Sequence, residues 1–158
     1  LGVSAIEARL AELGISIPPV TKPVAAYVPA VRSGSLVWTS GQLPFVDGAL
    51  AATGLVGEGP DDVSPELAKG LARAAALNAL AAVADVTGDL DAVVRVVKVV
   101  GFVASAPGFT GQPQVVNGAS ELLGEVLGAA GVHARSAVGV AALPLGSPVE
   151  VELVVEVR

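Results

Sequence analysis

The sequence predicts an α+β fold, a mixed β-sheet with two helices on one face and elements in the order ββ–α–β–α–ββ. Three stretches carry that expectation. Ser64 to Gly88 has helix punctuation at both ends and an alanine-rich body. Val93 to Val103 is dense in β-branched residues on both faces apart from Arg95 and Lys98, as in a strand covered on both sides. In Val149 to Val157, Glu150, Glu152 and Glu156 alternate with Val149, Val151, Val155 and Val157, so one face is polar and the other belongs to a core.

From the N-terminus, Val3, Ile6, Leu10 and Leu13 recur at three- and four-residue spacing, which predicts a short amphipathic helix over residues 3–13 ended by Gly14. Ile15 to Pro23 is proline-rich and should run extended. Ala26–Val31 and Leu36–Thr39 read as strands joined through Arg32-Ser33-Gly34-Ser35, a hairpin signal. Gly41 to Gly59 carries many glycines and few periodic residues and reads as a loop with room for one short strand. Ser64 is the N-cap of the long helix, Pro65 its first residue and Glu66 an acid at its positive end; it should run to about Val86, with Gly88 just beyond. Ala106–Pro113 is a Gly/Pro-rich loop, and Val115 to about Leu127 a second helix whose exit Gly128 and Gly131 bracket. Ser136–Leu143 and Val149–Val157 are the last strands, parted by Pro144-Leu145-Gly146-Ser147-Pro148. The whole chain, residues 1–158, reads as one domain.

Composition narrows the function. Hydrophobic residues make up 53% and charged residues 15% of the chain, and mean hydropathy is +0.71. No run approaches about 18 unbroken apolar residues, since Arg95, Lys98, Glu121 and Glu125 interrupt the candidates for a membrane-spanning run. An apolar surplus without such a run predicts that subunits bury it against one another. Without cysteine there is neither a thiolate nucleophile nor a thiolate metal site, and a single histidine argues against any metal centre. No cofactor is expected. The N-terminus lacks the layout of a signal peptide, which makes a cytoplasmic location the expectation. With net charge −6 and nine scattered lysines and arginines, nucleic acid is not an expected partner.

Few residues could carry chemistry. There is no phosphate-binding glycine loop and no Ser–His–Asp set. His133 is expected to expose its ring near a helix exit. Arg135, at the mouth of an apolar strand, could present paired donors to a carboxylate or form a structural ion pair with Glu150 on a neighbouring strand. Beside an arginine, Glu150 should ionise easily and orient water rather than act as a general acid. Ser40, in Thr39-Ser40-Gly41-Gln42, could turn its hydroxyl toward a ligand or be an ordinary turn serine. Tyr27 and Asn117 are unremarkable by spacing.

Together these residues resemble the RidA/YjgF family of reactive-intermediate deaminases, formerly named L-PSP-type endoribonucleases. Ala26-Tyr27-Val28-Pro29 leading to Val37-Trp38-Thr39-Ser40-Gly41-Gln42-Leu43-Pro44 resembles the family's N-terminal pattern. Asn78 in Leu77-Asn78-Ala79-Leu80 is similar to its helical "LxNL" element. Ala134-Arg135-Ser136-Ala137-Val138, then Leu143-Pro144 and Val149-Glu150-Val151-Glu152, resembles the signature "ARxxV…LP…VEIE". The match runs from about Val24 to Val157. It implies a chorismate mutase-like fold and a homotrimer with clefts between subunits. There Arg135 would bind a substrate carboxylate and Glu150 would hold the attacking water, while Tyr27, Ser40, Gly41, Asn117 and Ala137 line the pocket. The implied reaction is hydrolysis of 2-imino or 2-enamino acids to 2-keto acids and ammonia. A non-catalytic carboxylate-binding protein and an endoribonuclease are the competing readings. The chain departs from the pattern in its N-terminal helix, in the longer segment Ser105 to Pro113, and in Ala137, where some deaminases carry cysteine.

Overall fold

A computed structural model describes residues 4–158. Helix α1 (Ala5–Leu13) opens with a capping box, in which Ser4 accepts from the Glu7 N–H and Glu7 reaches back to the Ser4 N–H, and Gly14 closes it at φ 66°. The expected start at Val3 lies outside the described residues. The helix is docked on the domain, not free. The Ile6 N–H donates to Asp91 Oδ1 at 3.1 Å, Arg9 Nε to the Glu125 carbonyl at 2.8 Å, and Ile6, Leu10 and Leu13 pack on the core with Ile15, Ile17 and Val20 of the extended run.

Strands β1 (Ala30–Ser33) and β2 (Leu36–Thr39) form the predicted hairpin around Gly34 at φ 61°. β1 begins four residues later than expected. Pro29 has no N–H for the ladder, and its carbonyl instead accepts from the Ser40 N–H at 2.7 Å. Within the expected loop, β3 (Phe45–Val46) and β4 (Ala49–Leu50) make a second small hairpin. Asp47 and Gly48, at φ 50° and 80°, form its turn, and an Asp-Gly pair is itself a hairpin signal.

Helix α2 (Pro65–Thr87) runs from the Ser64 cap to Gly88 as expected. By length and composition it could cross a membrane, yet its alanines pack it into the core between the sheet and the second long helix. Helix α3 (Gln112–Leu127) starts three residues early, because Pro113 in its first turn sacrifices only an N–H that has no helical partner. The two helices approach so closely that a Cβ on Gly118 would lie 1.9 Å from the Lys69 carbonyl oxygen. Along their outer edge Lys69 pairs with Glu121 and Arg73 with Glu125.

Strands β5 (Val93–Ala104), β6 (Ala134–Val140) and β7 (Val149–Val157) complete a five-stranded sheet in the order β1-β2-β7-β5-β6. It is mixed: β6 runs parallel to β5 and the other pairs are antiparallel. β6 lies two residues before the expected start and stops at Val140, where its partner β5 runs out at Ala104. Both long helices cover one face, and the valines of β7 alternate into that core. The expectation that β5 is covered on both faces is not met within one chain, since Val94 and Val97 are exposed.

Candidate functional site

The expected site residues fall into two groups. The first surrounds Arg135, the second residue of β6. Arg135 stands opposite Val99, whose side chain is buried under the helices, so the arginine also projects toward the helical layer. There its Nη1 donates to Asn117 Oδ1 at 2.7 Å and to Ser120 Oγ at 3.2 Å, and its Nη2 to the Pro113 carbonyl at 3.3 Å. A guanidinium has five N–H donors. Three protein acceptors therefore leave the Nε–H and one Nη2–H without a partner among the described residues, on the two nitrogens of one edge of a half-buried cation. Such an edge matches a carboxylate. Ala137, two residues on, packs toward the core opposite Gly101 and brings only its backbone to this region.

The second group surrounds Glu150, at the start of β7. Val149 and Val151 point into the core, so the carboxyl between them projects from the face away from the helices. It lines a cavity of about 230 Å³ with Tyr27, Gly41, Gln42, Leu43 and Leu145. Gly41 is required for that closeness: a Cβ there would sit 2.7 Å from the Glu150 Cδ. Two anchors hold the segment around Gly41. The Gln42 N–H bonds the Val151 carbonyl at 2.8 Å, and buried Asn78 on α2 donates to the carbonyls of Leu43 and Phe45 at 2.9 and 3.0 Å. The "LxNL" asparagine is thus a structural tie that shapes the wall of the Glu150 cavity. Ser40 spends its proton on the Val28 carbonyl at 2.6 Å, pinning the stretch that carries Tyr27.

Two expectations are corrected here. Arg135 and Glu150 form no ion pair: they sit two strands apart, displaced along the sheet, and project from opposite faces. Nor does Glu150 ionise easily. Burial, and secondly the like charge of Glu152, push its carboxyl above the usual carboxylate range. A carboxyl so placed can take up a proton and give it back.

His133 also differs from expectation. Its ring is half-buried and both nitrogens have partners, Nδ1 at 2.6 Å from the Gly131 carbonyl and Nε2 at 2.9 Å from Ser120 Oγ. Ser120, which the sequence reading did not single out, links the ring to Arg135; its place one helical turn after Asn117 was the available signal. A larger cavity of about 580 Å³, lined by Glu58, Asp62, Phe109 and their neighbours, offers no cation to a carboxylate.

A mixed five-stranded sheet backed by two helices, with an arginine and a glutamate in these motifs, defines a class that comparison with known proteins identifies. Residues 7–157 match the model of the YjgF/chorismate mutase-like family, which carries an endoribonuclease name, and the chain belongs to that family. Protein TCP17 of Trypanosoma cruzi is 44% identical over 154 residues, covering 97% of this chain and 94% of that protein. The crystal structure of Atu1372 from Agrobacterium tumefaciens, a protein of unknown function, is 47% identical and superposes with a TM-score of 0.88, covering 97% of this chain and 92% of that one. Escherichia coli TdcF, solved with bound serine, shares the fold at 23% identity and a TM-score of 0.63, over 88% of this chain and 93% of its own.

Proposed function

We propose that the protein hydrolyses reactive 2-imino or 2-enamino acids to 2-keto acids and ammonia, in clefts completed between the copies of a homotrimer. The observation that carries this reading is the division of the site. One chain holds a guanidinium with an unoccupied edge on one side of its sheet and, on the other, a carboxyl that burial pushes above the usual carboxylate range. Neither group suffices alone, and packing copies around a ring would juxtapose one chain's Arg135 with another's Glu150. Exposed Val31, Trp38, Val94, Val97 and Val138 supply apolar surface for such an assembly.

The chemistry asks little of the protein, because the C2 carbon of an iminium is already electrophilic. Arg135 grips the substrate carboxylate, with Asn117 holding the guanidinium. Glu150 takes a proton from water as the water oxygen bonds to C2 and the C=N π pair moves onto nitrogen. The proton then passes from Glu150 to that nitrogen, the C–N bond breaks with its electrons leaving on ammonia, and the hydroxyl gives its proton to the freed Glu150 carboxylate, which hands it to the departing ammonia as the keto oxygen forms. Tyr27 and the backbone of Gly41 would wall the cavity, and Ser40 would keep the Tyr27 segment in place. The work is proximity and electrostatic preorganisation. The serine bound to Escherichia coli TdcF has the carboxylate that this reading requires.

The test couples purified protein to a threonine dehydratase and follows 2-ketobutyrate formation. Acceleration over buffer is expected, together with its loss in Arg135→Ala, where binding alone should weaken roughly 10–100-fold. No acceleration by a protein that runs as a trimer overturns the reading. A binding protein without turnover is the second reading, favoured by a guanidinium already held at three points. Carboxylate binding lost in Arg135→Ala without turnover of any imine would establish it. RNA cleavage that survives Arg135→Ala would not belong to this site.

A further inference from the structure

The chain's single histidine forms part of a hydrogen-bonded line that ends on Arg135. Its direction follows from the chemistry of each member. The Gly131 carbonyl can only accept, so the neutral ring carries its proton on Nδ1, 2.6 Å away. Nε2 is then an acceptor, and the partner 2.9 Å from it is the Ser120 hydroxyl, which must donate. With its proton committed to the ring, Ser120 Oγ turns lone pairs toward Arg135 Nη1 at 3.2 Å. A serine hydroxyl otherwise rotates freely and could aim its proton at the cation. His133 removes that choice.

We infer that His133 and Ser120 are positioning residues, which fix the plane of the Arg135 guanidinium so that its Nε/Nη2 edge stays open. Neighbouring charges are engaged elsewhere. Glu121 and Glu125 on α3 pair with Lys69 and Arg73 of α2, and Lys98 on β5 turns to Ser136. The line therefore delivers its effect to Arg135 alone among the described charges. Its consequence for ligands rests on the reading of Arg135 as a carboxylate anchor, while the line itself does not.

One histidine gives one pair of imidazole nitrogens, so the protein reports on itself by ¹⁵N NMR. The expected wild-type signature is a protonated Nδ1 and an unprotonated, hydrogen-bonded Nε2, with the Nε2 resonance moving in Ser120→Ala and returning in Ser120→Thr. An Nε2 resonance identical in wild type and Ser120→Ala overturns the inference whatever the protein binds. In parallel, 2-ketobutyrate is titrated by calorimetry. Ser120→Ala and His133→Phe should each weaken binding roughly fivefold, the loss expected of one hydrogen bond, and Ser120→Thr should restore it. A purely structural role would lower thermal stability and leave affinity and the threonine rescue without effect, which also overturns the inference. If Arg135→Ala binds the keto acid as tightly as wild type, the anchor reading fails, and the imidazole spectrum alone then decides the line.

Discussion

Gly41→Ala tests the placement of Glu150 with a single methyl group. The backbone at Gly41 is not in the left-handed region, so alanine adds no conformational strain there. The added Cβ would meet Glu150 Cδ at 2.7 Å, Oε1 at 2.9 Å and Cγ at 3.1 Å. Ordinary contact needs about 3.5–4.0 Å, so the carboxyl must withdraw by roughly 1 Å. A displacement of about 1 Å costs on the order of 100-fold in rate when reacting groups are otherwise aligned. The fold should lose little, because the half-buried glutamate can rotate toward solvent, and replacing glycine by alanine restricts the unfolded chain by about 0.4–1 kcal/mol. Initial rates in the dehydratase-coupled assay, with a melting curve on the same sample, should show roughly 1% of wild-type activity and a Tm within a few degrees. Full activity in the folded variant would refute the role given to this contact.

Glu150→Gln should also abolish most turnover, by about 100-fold or more as for loss of a general acid–base group, yet raise Tm at pH 7. The sign follows from linkage. A carboxyl whose folded pKa is raised favours the folded state while protonated, and that contribution is lost as pH rises through the raised value, so the ionised group is a burden at neutral pH. The stability difference from wild type should shrink as pH falls below the ordinary carboxylate value of 4.5; a lower Tm for the variant at pH 7 would mean that a cation from another copy, and not burial, governs the carboxyl. Gly118→Ala sets a methyl against the backbone oxygen of Lys69, which a side-chain rotation cannot relieve; a loss of about 3 kcal/mol or more is expected by chemical denaturation. Asn78→Ala removes both bonds to the Leu43 and Phe45 carbonyls. It should cost about 2 kcal/mol and speed amide exchange around Gly41.

Local signals carried much of this fold. Ser64, Pro65 and Gly88 mark α2 because caps act within a turn, and the Val/Glu alternation of β7 reads directly as two faces. Boundaries that depend on a distant partner were not legible: β6 ends at Val140 because β5 ends at Ala104, a limit set across the sheet. The same reason divides the candidate site. The motifs pointed to Arg135 and Glu150, but their orientation depends on strand register, which puts them on opposite faces and leaves Glu150 under the influence of burial and Glu152. The setting of His133 depends on Ser120, thirteen residues away on a helix, a partner that local spacing does not reveal.

A cleft shared between copies makes a prediction that a cleft within one chain cannot make. Arg135→Ala and Glu150→Ala chains, each inactive alone, should regain activity when unfolded together and reassembled. In a one-to-one random mixture, about a quarter of the clefts would pair an intact arginine with an intact glutamate from another copy. Recovery of close to that fraction of wild-type turnover is the expected result. A mixture that reassembles into folded oligomers yet stays as inactive as its two components would contradict the account.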